Sequence, residues 1–232
     1  MTQPKADPLL VASLRELIRA DGEPSDDLAV PASGDEIVTA LSALVPEARE
    51  RQRRAGIPED ITLATLRDIG RKHSLYGAET VLPWLLGLLR GDVIEIGRLQ
   101  VERRPGAHGH ALHIPENGPL SPTLVDESLN RAAAITGARA FSCTSWLLDP
   151  RIGSALPASN IAAFAARFRI VDPGEGGPAA SAEAAKFVFR RPLSDVLDPA
   201  RVIPLSRLER VVAASLRAGE EWTAPLGVLV IR

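Results

Sequence analysis

HALHIPENGPLSPTLVDESLNRAAAITGARAFSCTSW, residues 110–146, decides how this chain is read. HALHIP has the alternation and β-branching of a short strand ending at Pro115, and ENGPLSP is a tight loop. Ser121 is placed to cap a helix, and Pro122 suits its first position, where an N–H would go unbonded anyway. TLVDESLNRAAAITG then predicts a helix that leaves at Gly137, and ARAFSCTSW returns to strand. Strand, helix and strand of these lengths imply a parallel pair joined by a right-handed crossover. Polar ligands of such units gather beyond the C-terminal ends of the strands, here residues 113–115 and 142–146.

Upstream, the chain reads as helical. DPLLVASLRELIRADG starts with an Asp7 cap and Pro8 in the first turn, carries Leu10, Leu14 and Leu17 near helical spacing, and stops at Gly22. Residues 23–34 form a polar linker, and Ile37, Val38, Leu41, Leu44 and Val45 mark one face of a second helix. GIPED, 56–60, makes a turn before a third; residues 79–90 form a fourth, with Pro83 in its first turn or at a kink. GDVIEIGRLQVERR ends in a long amphipathic strand.

Downstream, NIAAFAARF predicts a helix and RIVDPGEGGPAASAE a mobile connection. AKFVFRR, 185–191, reads as the clearest strand in the chain, with Phe187 and Phe189 on one face. Ser206 and Glu209 form a capping box for another helix, and the C-terminal WTAPLGVLVIR is a strand. The fold class is α+β: a helical domain over 1–84, then a mixed α/β domain over 85–232 with a central twisted sheet.

With 232 residues, 45% hydrophobic and 24% charged, the chain can bury a sizeable core. A net charge of −2 argues against a nucleic-acid partner, and Arg51, Arg53 and Arg54 read as a solvated helix end. A single cysteine excludes an intrachain disulfide framework and a multi-cysteine zinc site. MTQPKADP lacks the pattern of a secretory signal, and VLPWLLGLLRG is too short to span a bilayer. No membrane partner is therefore expected, and a cytoplasmic location follows by elimination.

Several side chains near the two strand ends carry chemistry. His108, His110 and His113 stand at near-alternate positions, but no acid–histidine motif accompanies them and no metal site is expected. His113 ends its strand; a neutral imidazole there can take a proton from an attacking amine, or simply bond the backbone. Cys143 is a nucleophile if a base or positive field holds its thiolate, and otherwise a small core residue. Ser142, Thr144 and Trp146 put two hydroxyls and an indole on one face, fit to bind a polar ligand and exclude water. Asp149 can hold a cationic amine or cap the turn before Pro150; Glu116 can act as a base or face solvent from its loop. Ser159 and Asn160 start a helix, with ligand contact by Asn160 as the secondary reading. The loop matches neither dinucleotide nor P-loop fingerprints, although Gly118 allows close backbone approach and the helix start at Ser121 can hold an anion.

GRLQVERR (97–104), LHIPENGPLSP (112–122), CTSWLLDP (143–150), SNIAAF (159–164), KFVFRRP (186–192) and GIPED together resemble one family. It comprises actinobacterial acyltransferase-domain proteins with a helical N-acyltransferase-like N-terminal domain and a GNAT-like C-terminal domain. The resemblance covers nearly the whole chain and is strongest from Gly91 onward. It implies acyl-CoA as co-substrate, with no tightly bound cofactor. The pantetheine would lie along the earlier strand, up to Ile114, in the opening between two splayed parallel strands. The pyrophosphate would meet the loop of Asn117, Gly118, Leu120 and Ser121, and residues 140–145 would form the later strand. ENGPLSP departs from the usual GNAT loop, in which Gln or Arg precedes a glycine-rich pattern.

The reaction so implied is direct attack of a small-molecule amine on the thioester. His113, or Glu116 through a water, would take the proton, and Ser145 would donate to the departing thiolate. Two alternatives stay open: a non-catalytic acyl-CoA or metabolite-binding module, and acyl transfer or hydrolysis through Cys143.

Overall fold

Asp7 starts the first helix as expected: its side chain accepts from Leu9 N at 3.0 Å, ahead of α1 (Pro8–Arg19). The computed structural model describes residues 6–20 and 30–231, so the stop at Gly22 lies outside the described residues. Ser33 and Glu36 form a capping box for α2 (Gly34–Arg54), which runs through Pro46 and ends in the basic run Arg51, Arg53 and Arg54. Cations suit that helix end, where the unpaired carbonyls concentrate negative partial charge. After α3 (Glu59–Tyr76) and a 3-10 turn (Ala78–Thr80), α4 (Leu82–Arg90) takes Pro83 in its first turn. Leu14, Ile37, Leu41, Leu44, Leu85 and Leu86 interlock as a fully buried core. Burial of each such side chain stabilises by about 1.5–3 kcal/mol.

The segment expected to end in one long strand is a hairpin. β1 (Val93–Ile96) turns at Gly97 and Arg98 into β2 (Leu99–Gly106), pairing antiparallel from Val93↔Glu102 to Ile96↔Leu99. A glycine with positive φ in a two-residue connection matches the turn that follows strand twist.

The chain divides into two compact units. One holds these elements as far as Arg104, together with Ile114–Glu116; the other holds Pro105–His113 and everything from Asn117 onward. In the second unit the predicted crossover is present as β3 (Gly109–His113), α5 (Pro122–Thr136) and β4 (Ala140–Thr144). Ser121 accepts from Leu124 N at 3.4 Å at the start of α5, and Gly137 ends that helix in the left-handed region. A 3-10 turn (Trp146–Leu148), α6 (Pro150–Ala155) and α7 (Asn160–Ala165) lead to β5 (Arg169–Asp172). The helices α8 (Pro178–Phe189), α9 (Leu193–Leu197) and α10 (Arg207–Arg217) precede β6 (Leu226–Val230). Strands follow the order β3, β4, β6, β5, with only the first pair parallel. The chain is thus helical first and mixed α/β behind, the α+β class expected.

Two segments depart from expectation. AKFVFRR is not a strand: residues 185–189 finish α8, and Arg190 at φ 55 ends that helix. The supposed connection before it supplies β5 through RIVD, and PAASAE forms the first turns of α8. Ser181, Ala184 and Ala185 are buried at helical spacing, so a small-residue stripe sets the period there and Phe187 and Phe189 are only half-buried.

Candidate active site

The ladder between β3 and β4 is short. It pairs His110 with Phe141 and Ala111 with Ser142, yet β3 continues to His113 and β4 to Thr144. On its other edge β4 stays paired with β6 along its full length, through Cys143↔Gly227 and Thr144↔Leu226. The two parallel strands approach tightly at their starts. Gly109 sits at φ +94, and a Cβ there would lie 2.3 Å from the Ala140 carbonyl oxygen. Only glycine allows that approach. The close approach at Gly109 thus stands at one end of a β3–β4 ladder whose register stops at Ala111↔Ser142.

The loop and helix start lie beyond this end of β3. Pro122 has no N–H, Leu124 N is held by the Ser121 hydroxyl, and Val125 N bonds Ser121 O at 3.0 Å. Gly118 is exposed at φ +139, with open space where a Cβ would stand. Asn117 and Ser121 are half-buried, Leu120 is buried, and His113 is half-buried as the last residue of β3. In the other unit Ile114 is half-buried, and Pro115 O accepts from Arg98 Nη1 at 2.6 Å.

β4 ends two residues earlier than alternation suggests. The Ser145 hydroxyl accepts from Leu147 N at 3.2 Å and opens the 3-10 turn, so Trp146 does not continue the strand face. Ser142 on that strand is buried and Thr144 exposed. Trp146 is buried, and its carbonyl accepts from Trp222 Nε1 at 3.1 Å. Asn160 is exposed at the first position of α7, next to the capping Ser159.

Asp149, considered for an amine ligand, is buried and fully engaged. It accepts from Arg151 Nη2 at 2.6 Å, from Arg151 Nε at 2.8 Å, and from the Thr223 amide and hydroxyl. Burial alone would raise its carboxyl, but the Arg151 and Thr223 hydrogen bonds outweigh that and hold it below the usual range. The group caps α6 and ties it to the stretch before β6; it has no remaining geometry for a substrate amine.

Cys143 is buried, and desolvation pushes its thiol up to about 12. Almost no thiolate exists near neutral pH, which removes the nucleophile that a covalent route needs. We expect Cys143→Ala to keep acyl-transfer turnover within about threefold of wild type, measured as CoA release; a covalent role would abolish it.

Glu116 belongs to the helical unit, where it accepts from Lys72 Nζ at 3.0 Å and from the Tyr76 hydroxyl. Burial would raise its carboxyl, but Tyr76 and Lys72 prevail and hold it below the usual range. That weakens it as a proton acceptor and makes it a tie between Ile114–Glu116 and α3. Lys72 and Tyr76 escaped the sequence reading; their four-residue spacing puts them on one helix face, but nothing local names the carboxylate they meet. Because the folded-state value is depressed, the stabilisation is complete above the unfolded value of roughly 4.5 and is lost as pH falls through the folded one. Glu116→Gln should cost about 2 kcal/mol at neutral pH in urea unfolding, with the deficit shrinking at acid pH.

Among the described residues, no three His, Cys, Asp or Glu side chains lie close enough to hold a metal ion. No described helix is long and apolar enough to cross a membrane.

A family model for a GNAT-like C-terminal domain matches residues 67–229, more than two thirds of the chain, and one for an N-acyltransferase N-terminal domain matches residues 2–80. The chain belongs to this acyltransferase family. No curated protein matches it. Solved structures do. An acyltransferase in complex with CoA and 10C-teicoplanin is 30% identical, with a TM-score of 0.74 over 84% of this chain and 66% of that one. An acyltransferase with decanoyl-CoA and teicoplanin is 28% identical, with a TM-score of 0.80 over 96% of this chain and 76% of that one. An acyltransferase mutant with octanoyl-CoA is 27% identical, again with a TM-score of 0.80 over 96% and 76%. The GNAT-like chain therefore spans about two thirds to three quarters of these relatives.

Proposed function

We propose that this protein transfers an acyl group from acyl-CoA to an amine by direct attack of the amine on the thioester. The observation that carries this is the β3–β4 ladder ending at Ala111↔Ser142 while both strands run on. In this reading the pantetheine arm lies where that ladder stops, its amides bonding main chain near the two strand ends. The loop of Asn117, Gly118, Leu120 and Ser121 would continue that contact to the pyrophosphate. We assign residues 1–84 to the N-terminal domain and 85–232 to the C-terminal one.

In this reading His113 takes the proton of the attacking amine. Amide hydrogens at the end of β4 stabilise the developing oxyanion, and the Ser145 hydroxyl donates a hydrogen bond to the departing thiolate, which takes its proton from solvent. Ser142, Thr144, Trp146 and Asn160 are the proposed substrate contacts. Octanoyl- and decanoyl-CoA are the first donors to try, since relatives carry them. The acceptor is a small-molecule amine, with teicoplanin included in the panel because relatives bind it.

The test is CoA release and acylated product across amines at fixed acyl-CoA, beside calorimetric CoA titration. Amine-dependent turnover supports the reading. Saturable CoA binding without turnover would make the protein a binding module instead, and absence of both would end the proposal.

A further inference from the structure

Residues 190–217, which close α8 and carry α9 and α10, hold six arginines against three acids in a chain of net charge −2. This segment stands at +3 and the remainder at −5. At the turn between α9 and α10, Ile203 is 77% exposed and Leu205 81%, on either side of Pro204; Leu197 on α9 is 44% exposed. Side chains so far out form a protrusion, not a groove, and three aliphatic groups in one short stretch are more than scattered surface apolarity.

Several main-chain groups of this turn are bonded within its own unit. Val202 N donates to Asp198 O at 3.2 Å, and Val202 O accepts from Arg217 Nη2 at 2.7 Å. Leu205 O accepts from Arg210 Nη1 at 2.8 Å, and the amides of Leu205 and Ser206 both donate to Glu209 Oε2, at 2.5 and 2.8 Å. Pro204 has no N–H to satisfy. The groups so bonded can enter an apolar medium without being stripped of water. Arg207 and Arg210 are exposed beside it, and Arg201, also exposed, is paired with Asp195 and Asp198. A protein partner would need a socket shaped to a protrusion, whereas a bilayer needs only apolar depth and negative charge at its surface.

We propose that the turn bearing Ile203, Pro204 and Leu205 docks this protein on the surface of anionic lipid bilayers, with the aliphatic side chains entering the interface and the neighbouring arginines meeting headgroups. Docking of this kind does not depend on acyl transfer.

The test is co-sedimentation of the full chain with vesicles of phosphatidylcholine alone or with about 30% phosphatidylglycerol. Binding to the anionic vesicles should exceed binding to the neutral ones by about tenfold and fall at high salt. The double variant Ile203→Ser, Leu205→Ser should partition about tenfold more weakly, with an unchanged melting temperature because both side chains are exposed. Arg207→Glu should weaken binding to anionic vesicles alone. Wild-type protein left in the supernatant, or a double-serine variant that binds normally, would overturn the proposal. So would a concentration-dependent dimer that the double variant abolishes without any vesicle binding, which would make the turn a contact between copies.

Discussion

His113→Ala is expected to lower kcat for amine acylation by about 10²- to 10⁴-fold, the range lost when a positioned general base is removed. KM for acyl-CoA should stay within about threefold, since the side chain is assigned to the acceptor's proton and the donor's grip is assigned to main chain. Imidazole added to the alanine variant should restore part of the rate, a response that mere loss of packing would not produce. Circular dichroism and melting should match wild type, because His113 is half-buried at a strand end and not in the core. A variant with full turnover would remove the base while leaving the proposed acyl-CoA contacts intact. Loss of CoA binding would instead mean that the imidazole holds the strand end in shape.

Trp222→Ala should cost about 3–5 kcal/mol in the unfolding of the second unit, in line with truncation of a buried aromatic side chain. Trp222 is fully buried, donates from Nε1 to Trp146 O, and lies under the Arg151 guanidinium, 4.2 Å from the ring. Alanine leaves a cavity, removes one of the two hydrogen bonds that Trp146 O accepts, and takes the stacking face from Arg151. Trp222→Phe fills most of the space but still loses the Nε1–H bond, so about 0.5–1.5 kcal/mol is expected. Urea midpoints, read with constant slope, separate the two variants. Equal effects would show that the lost Nε1–H bond, and not the cavity, sets the cost.

The crossover was legible because its punctuation is local. Ser121, Pro122 and Gly137 mark the ends of α5 by side-chain chemistry that needs no distant partner. The C-terminal strand and the Ser206–Glu209 cap were readable for the same reason. At AKFVFRR the alternation spans only Phe187, Val188 and Phe189, too few residues to distinguish a strand from the end of a helix. The deciding signal was the upstream run of Ser181, Ala184 and Ala185, whose small side chains hide a helical stripe. Within the site, residue types could be named but not their commitments. Arg151 stands two residues from Asp149, but Thr223 arrives from 74 positions away and takes up what remains of the carboxylate. Burial of Cys143 likewise depends on elements on both sides of its strand, which no short window contains.

The tie between α3 and Ile114–Glu116 has a practical outcome for anyone wishing to dissect the molecule. A gene fragment stopping at Arg104 would omit those three residues, leaving Lys72 and Tyr76 without their carboxylate and Arg98 without the Pro115 carbonyl. The front portion is stitched shut by a thread that its own contiguous stretch does not encode, so truncation there removes a fastening along with the rear portion.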